Sequence, residues 1–208
     1  MLTDNITINA HSSIRVGGET ILWFDPFHLT DEPHDADIVF ITHDHYDHLS
    51  PEDIARARKA DTVFVLSASC RASAEKNGLG DCVYLNPGDK TEVRGVPVEA
   101  VAAYNVLKPF HPKKNEWLGY VVTLESQRLY VAGDTDENKD NLAVQCDIAL
   151  VPVGGTYTFD AKHAAKFVNK LRPAVAIPTH YGDIVGDIAD GDAFAGAVDA
   201  GIAVVKKI

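Results

Sequence analysis

The sequence predicts an α/β fold in a single domain that covers residues 1–208, and three observations support this prediction. The first third alternates apolar, β-branched segments with helical segments, which is the rhythm of strand–helix–strand units. A meander of short strand-like segments occupies the middle of the chain, and the closing third alternates again. The content of 46% hydrophobic and 24% charged residues is ordinary for one folded domain of this length.

Local signals set the expected boundaries of the elements. Gly17 and Gly18 predict a hairpin between early strands. Ser50 followed by Pro51 predicts a helix start, because serine caps helices and proline fits their first position. The predicted strands cover residues 6–8, 13–16, 20–24, 36–41, 62–66, 82–85, 91–93, 96–103, 118–124, 128–132, 147–151, 174–177 and 202–205. The predicted helices cover residues 51–59, 68–76, 160–171 and 190–200.

Composition limits the classes of partner. The formal charge of −11, from 30 acidic against 19 basic residues, argues against nucleic acid as the main ligand. The three cysteines form no C-x-x-C pair and indicate reduced thiols. The amino terminus lacks the pattern of a signal peptide, and no apolar run approaches the length of a membrane span. We therefore expect a cytoplasmic protein that does not bind membranes.

The densest group of reactive side chains lies directly after the predicted strand 36–41. His43, His45, Asp47 and His48 fall within six positions on a turn. Imidazole plus carboxylate is the ligand set of zinc and similar divalent metals. Open α/β sheets place their sites at the carboxyl ends of strands. Four ligands on so short a loop would crowd one ion, so we expect two ions to share it.

Two further side chains also follow predicted strands. Asp134 comes after the strand 128–132 and Gly133, and its two carboxylate oxygens could bridge two cations. His180 follows the strand 174–177 in the same way. The same edge of the predicted fold therefore collects potential ligands from distant parts of the chain.

The pattern Thr42-His43-x-His45-x-Asp47-His48 resembles the signature loop of the metallo-β-lactamase superfamily. Segments 104–105, 110–113, 133–136, 152–157 and 178–182 resemble its compact Zn-dependent hydrolases, a branch related to ascorbate-6-phosphate lactonase, and this similarity extends over residues 25–194. The resemblance implies a four-layer αββα sandwich, in which two mixed β-sheets flanked by helices hold one or two metal ions.

The resemblance also implies a ligand set. His111 takes the place of the last histidine of the first ion, although it lacks the usual glycine-histidine-threonine turn. The expected ligands are His43, His45 and His111 for one ion, Asp47, His48 and His180 for the other, and Asp134 between them. Asp47 and Asp134 are the expected catalytic residues, since Asp47 could orient a hydroxide as well as bind metal. Two zinc ions are the expected cofactor, with manganese as the alternative.

Other residues are expected beside the ions. His11 and Asp25 are candidates to support the ligands from behind, because ligating imidazoles need carboxylate or backbone partners. Candidates for substrate contact on the flanking loops are Asn105, Lys108, Lys113 and Tyr157. The two lysines would suit an anionic substrate, and simple solvation of both is an equal alternative. His28, His34 and His163 are expected in solvent.

The resulting hypothesis is a metal-dependent hydrolase that uses a metal-activated hydroxide on a small-molecule ester, lactone, amide or phosphoester. One alternative is a nuclease or RNA-processing enzyme, which the acidic charge disfavours. The other is a non-catalytic or redox metal protein, although the diiron relatives commonly have glutamate where this chain has His45. The expected partner is a small molecule, and the resemblance leaves a homo-oligomer open.

Overall fold

A computed structural model describes residues 2–208, and among these residues thirteen strands form two mixed sheets. The first sheet has the order β1 (Ile6–Ala10), β2 (Ser13–Val16), β3 (Leu22–Phe24), β4 (Ala36–Ile41), β5 (Arg58–Ser67) and β6 (Cys82–Leu85). Strands β1 to β3 pair antiparallel, and β3 to β6 pair parallel.

The second sheet begins with an antiparallel meander and ends in parallel strands. In chain order it contains β7 (Lys90–Val93), β8 (Val96–Ala102), β9 (Leu118–Leu124), β10 (Gln127–Val131), β11 (Ile148–Pro152), β12 (Val175–Thr179) and β13 (Ala203–Val204). Strands β7 to β10 are antiparallel and β10 to β13 are parallel. The helices are α1 (Pro51–Ala57), α2 (Arg71–Lys76), α3 (Ala161–Leu171) and α4 (Ala189–Ala195).

Apolar side chains bury the faces of the sheets in three clusters. The central cluster lies between the sheets and includes Phe40 from the first and Tyr120 from the second. Ile54 of α1 packs on the outer face of the first sheet, and Phe167 of α3 packs on that of the second. The layers therefore follow the order helix, sheet, sheet, helix, and the predicted four-layer αββα sandwich is confirmed.

Most predicted elements are present, and the differences lie at their ends. Ser50 caps α1 as predicted, by accepting a hydrogen bond from the Asp53 amide. This helix ends at Ala57 rather than at residue 59, because Arg58 already pairs with the neighbouring strand. Helix α4 ends at Ala195, where Gly196 follows, rather than at the predicted residue 200. The longest described helix has 11 residues, and no helix within residues 2–208 is long and apolar enough to cross a lipid bilayer.

Hydrogen bonds join the two sheets at the edge where β4 and β12 end. The Leu118 amide donates to the Thr42 carbonyl over 3.0 Å, and the His180 amide donates to the His11 carbonyl over 2.9 Å. The buried Tyr120 hydroxyl donates to the Ile41 carbonyl over 2.7 Å. These bonds fix the loops of both sheets relative to one another, and this edge carries the candidate site.

Candidate metal centre

The loop after β4 folds into a tight turn that gathers its four predicted ligands. The amides of His48 and Leu49 both donate to the His45 carbonyl, over 3.0 and 2.8 Å. This turn buries His43, Asp47 and His48, while His45 stays exposed. The turn geometry explains how residues one to five positions apart can face one small volume.

The structure brings all seven predicted ligands together. Potential ligand atoms of His43, His45 and His111 lie within 4.8 Å of one another. Asp47, His48 and His180 form a second group by the same measure. His11 belongs to this second group as well. His43, His48 and Asp134 form a third group that joins the other two, so the ligands expected from sequence lie together with one additional histidine.

Asp134 lies between the two groups. Its Oδ1 atom is 3.1 Å from His180 Nε2 and 3.4 Å from His48 Nε2. Its Oδ2 atom is 3.2 Å from His111 Nε2. The preceding Gly133 has a φ of +65°, and a Cβ there would approach the Leu118 carbonyl oxygen to 2.9 Å. Glycine thus lets the backbone come close enough to aim one carboxylate oxygen at each group.

The donor set fits divalent cations. Several buried ring nitrogens and one carboxylate oxygen of the cluster lack a hydrogen-bond partner: His11 Nδ1 and Nε2, His48 Nε2, His111 Nε2, His180 Nδ1 and Nε2, and Asp134 Oδ1. An unsatisfied buried polar atom costs about 1–3 kcal/mol, so such atoms are rare in folded proteins. Their convergence on one place, as nitrogen and oxygen donors, suits zinc or a similar transition metal.

Electrostatics also favours cation binding. Burial alone would raise the pKa of Asp134, but His180 and His48 hold it well below its usual range. The pKa of Asp47 is lowered in the same way, because His11 and His48 outweigh the effect of burial. Burial and the neighbouring His48 place the pKa of His43 well below 6.5. Both carboxylates are therefore ionised and His43 is neutral, which is the ligand-competent form of each group. His48 differs, because Asp134 and Asp25 outweigh burial and raise the pKa of its imidazole well above 6.5, so an ion that binds there has to displace a proton.

Four residues of the site have an uncommon backbone conformation. His11, Asp25, His111 and His180 all adopt left-handed backbone conformations, with φ values of 54°, 44°, 51° and 58°. Such conformations are uncommon for residues other than glycine, and they cluster at functional sites where the surrounding structure enforces them.

Partners behind the ligands hold two of the imidazole rings. His48 Nδ1 donates to Asp25 Oδ2 over 2.7 Å, as expected for Asp25. His111 Nδ1 lies 3.1 Å from the Tyr157 carbonyl oxygen. Asn105 donates to the carbonyls of Tyr157 and Phe110, over 2.7 and 3.0 Å. Asn105 therefore braces the loop that carries His111, and it does not line the cavity at the site.

His11, which is expected to support the ligands from behind, lies directly beside Asp47 and His180. Its Nε2 atom lies 3.3 Å from Asp47 Oδ2, and its ring centroid lies 3.7 Å from that of His180. The fully buried ring thus stands among the ligands. Its direct neighbours come from segments 36 and 169 residues away, and no local pattern in the sequence indicates these contacts.

Lys113 and Lys108, the expected substrate contacts, are each held by a nearby carboxylate. The Lys113 ammonium is 3.0 Å from Asp140, and that of Lys108 is 3.2 Å from Asp136. Neither side chain lines the cavity at the site, so the lysines give no support to an anionic substrate. His28, His34 and His163 are exposed, as expected.

A cavity of about 330 Å³ opens beside the two groups. Its walls consist of His45, Tyr46, Asp47, Phe110, His111, Asp134, Tyr157, His180, Ile184 and Val185. Tyr46, Phe110, Ile184 and Val185 are not predicted from sequence. Tyr46 and Phe110 do adjoin predicted ligands along the chain, whereas no signal marks Ile184 and Val185. This volume is at the lower end of the range for small-molecule sites.

Trp117 is a further neighbour that sequence reasoning missed. Its ring centroid lies 4.7 Å from those of His43 and His45, and 5.4 Å from that of His111. The indole therefore packs against all three imidazoles of the first group and restricts their rotation. Two facing sheets thus carry His/Asp ligand groups at one edge, beside a small cavity, which is an arrangement suited to a metal-dependent enzyme.

Comparison with known proteins agrees with this class. A family model of the beta-lactamase superfamily domain matches residues 5–180, and the chain belongs to this superfamily. A UPF0173 metal-dependent hydrolase of Thermoplasma acidophilum is 32% identical over 190 residues, covering 83% of this chain and 81% of that protein. The UPF0173 metal-dependent hydrolase of Pyrococcus horikoshii is 32% identical over 186 residues, with 82% and 81% covered.

A solved structure from Parabacteroides distasonis, provisionally described as a metal-dependent hydrolase, superimposes with a TM-score of 0.79. It shares 31% sequence identity, and the match covers 97% of this chain and 91% of that one. The fold, the ligand cluster and these relatives together establish the chain as a metal-dependent hydrolase, as predicted from sequence.

Proposed function

We propose that this hydrolase binds two divalent ions, zinc with manganese as the alternative, and cleaves an ester, lactone, amide or phosphoester bond of a small molecule. The observation that carries the proposal is the position of Asp134, whose two oxygens face different groups of imidazoles. A carboxylate so placed can bind both ions of a dinuclear site. The cavity beside it has the size of a small-molecule site.

In this proposal His43, His45 and His111 hold one ion, and Asp47, His48 and His180 hold the other. His11 adds a fourth side chain to the second group. Counting the shared Asp134, the first ion would have four protein ligands and the second five, so the second would be the more closed of the two. The exposed His45 belongs to the first group, so the first ion is the one that we assign to substrate binding.

When bound, two such ions activate water at neutral pH and polarise the scissile bond. The protein's own contribution is positioning and proton handling. Asp47 is ionised and lines the cavity, so a free oxygen of its carboxylate can accept a hydrogen bond from the attacking water and orient it. Tyr157, whose carbonyl holds His111, stands at the cavity wall and shields the site from bulk water.

The two alternatives have less support. A nuclease needs cations that follow the phosphate backbone, and no lysine or arginine lines the cavity in the described part of the chain. A redox role has no support in the names of the curated relatives described above, which are metal-dependent hydrolases. Small-molecule hydrolysis is therefore the proposal that we carry forward.

The test is turnover of chromogenic ester, lactone, amide and phosphodiester probes by the metal-loaded protein. We expect activity with at least one probe, its loss after chelation, and its return with zinc or manganese. Asp47→Asn should lower kcat by about 100-fold or more, the size of a general-base contribution. His163→Ala, a change on the exposed face of α3, is the matched control and should leave kcat unaltered. Activity that survives complete removal of metal would contradict the proposal.

We also propose a reducing compartment, the cytoplasm, for this protein. Cys70, Cys82 and Cys146 are all free thiols, and Cys70 is fully buried. Free thiols persist where glutathione and thioredoxin keep them reduced. Fractionation of the native cells, followed by immunodetection, tests this proposal, and recovery in a secreted fraction would contradict it.

A further inference from the structure

The mouth of the cavity is lined by exposed apolar side chains. Tyr46, Phe110, Tyr157 and Ile184 are 70%, 43%, 38% and 38% exposed. They are four of the eight exposed large hydrophobic residues within residues 2–208. Single exposed apolar residues are ordinary, but contiguous ones beside a cavity mark a binding surface.

Part of this surface is preformed. The rings of Phe110 and Tyr157 meet edge to face, with centroids 4.8 Å apart and planes at 82°. Asn105 holds the backbone of both residues through its side-chain amide. Tyr46 meets Phe27 edge to face at 6.1 Å. Rings that already have fixed partners can accept an apolar group without losing much conformational entropy.

The same mouth offers little to an anionic group. The only charged carboxylates of the cavity wall are those of Asp47 and Asp134, and no lysine or arginine of the described chain contributes to the wall. Lys108 on the adjacent loop is bound by Asp136 and by the carbonyls of Gly155 and Thr158. A carboxylate or phosphate on the distal part of a substrate would therefore find no cationic partner on this wall, and it would lose part of its hydration against the apolar side chains.

We propose that the substrate is a neutral ester, lactone or amide whose aryl or branched alkyl group lies against Phe110, Tyr157 and Ile184. The scissile carbonyl then points inward toward Asp134. This inference rests on the proposed hydrolytic function and narrows its substrate class. It disfavours sugar phosphates and other molecules with a second, distal negative charge.

The direct test measures binding rather than turnover. Acetohydroxamate and benzohydroxamate share one metal-binding group and differ in an apolar ring, and 4-carboxybenzohydroxamate adds a distal charge. We expect calorimetric titration of the zinc-loaded protein to give benzohydroxamate about 10- to 100-fold tighter binding than acetohydroxamate, the range for burying one ring. The added carboxylate should make 4-carboxybenzohydroxamate bind at least about tenfold more weakly than benzohydroxamate.

Variants test whether the apolar side chains at the mouth of the cavity cause the tighter binding of benzohydroxamate. Ile184→Ala and Phe110→Ala should each lower the benzohydroxamate to acetohydroxamate affinity ratio by about threefold or more, with acetohydroxamate affinity and zinc content retained. Leu107→Ala is the control, because Leu107 is 94% exposed and lies outside this cavity. It should leave the ratio unaltered.

Each failure has a distinct meaning. A ratio near one, a carboxylated probe that binds as well as the neutral one, or a ratio that neither cavity variant alters would overturn the apolar substrate class. If benzohydroxamate binds more tightly than acetohydroxamate as expected but no hydrolytic probe is turned over, the hydrolytic function is overturned and the apolar binding surface is supported. Binding of neither probe to zinc-loaded protein would show that no ion is accessible from the cavity, which would overturn both proposals.

Discussion

His48 Nδ1 lies 2.7 Å from Asp25 Oδ2, and both side chains are buried. The same carboxylate accepts hydrogen bonds from the Thr42 amide over 2.8 Å and from the Thr42 hydroxyl over 2.6 Å. Three bonds thus fix one carboxylate, and this carboxylate orients the imidazole so that His48 Nε2 faces Asp47 and Asp134. A fixed ring of this kind is what a metal ligand requires.

We predict from this contact that Asp25→Asn lowers the affinity of the second ion by about 10- to 100-fold, the usual loss when a partner behind a metal-binding histidine is changed. Competition with a chromogenic zinc chelator measures the affinity. Asp31→Asn, at an exposed loop position, is the control. Unaltered zinc affinity in a folded Asp25→Asn protein would remove Asp25 from this role.

His11 gives the second prediction, because the fully buried ring faces Asp47 and His180. His11→Ala should lower the affinity for the proposed second ion by about tenfold or more, since it removes one donor of the group. Cobalt-loaded protein should show altered visible absorption, which reports the coordination of the ion. The exposed His163 again supplies the control, His163→Ala. An unchanged spectrum together with unchanged affinity would show that His11 only fills space.

Gly133 gives a prediction about stability. Gly133→Ala combines a φ of +65° with a Cβ placed 2.9 Å from the Leu118 carbonyl oxygen. Gly78→Ala is a closely matched control, because Gly78 has a φ of +61° and open space around its Cβ position. We expect Gly78→Ala to cost about 1 kcal/mol and Gly133→Ala about 2 kcal/mol more, measured by urea unfolding. Equal costs would mean that the Leu118 contact relaxes freely.

Thiol reactivity gives a prediction about pH dependence. Burial raises the pKa of Cys70 to about 12, and burial together with Asp147 raises the pKa of Cys146 to about 12. The thiolate is the reactive form, so roughly one thiol in ten thousand is ionised at pH 8 in these two residues. A maleimide should label these two thiols slowly in the native protein, and the labelling rate should still be rising with pH at pH 10. Three equivalents should react at once in denaturant. A labelling rate that levels off near pH 9 would contradict the raised pKa.

The sequence predicted the parts of the site that local patterns encode. His43, His45, Asp47 and His48 share one short turn after a buried strand, so their proximity follows from chain connectivity. His180 was predicted because it directly follows a strand of the expected sandwich. The four-layer architecture was likewise predictable, because the resemblance carried by these motifs spans most of the chain.

The remaining features depend on contacts between distant segments. The backbone of His11 is joined to that of His180, whose amide donates to the His11 carbonyl. The position of Lys113 depends on Asp140, which lies 27 residues away and holds its ammonium outside the cavity. Neither contact has a periodicity or a spacing that could be recognised in advance. The cavity wall at Ile184 likewise follows from loop packing.

The most direct test of the central claim is the metal content per chain of protein purified without chelator, compared between the wild type and His111→Ala. Asp134 contacts both ligand groups, so a dinuclear site predicts two equivalents of zinc or manganese in the wild type. The variant should retain one equivalent, held by the second group, and the His163→Ala control should retain two. One equivalent in the wild type, undiminished by His111→Ala, would contradict the dinuclear site.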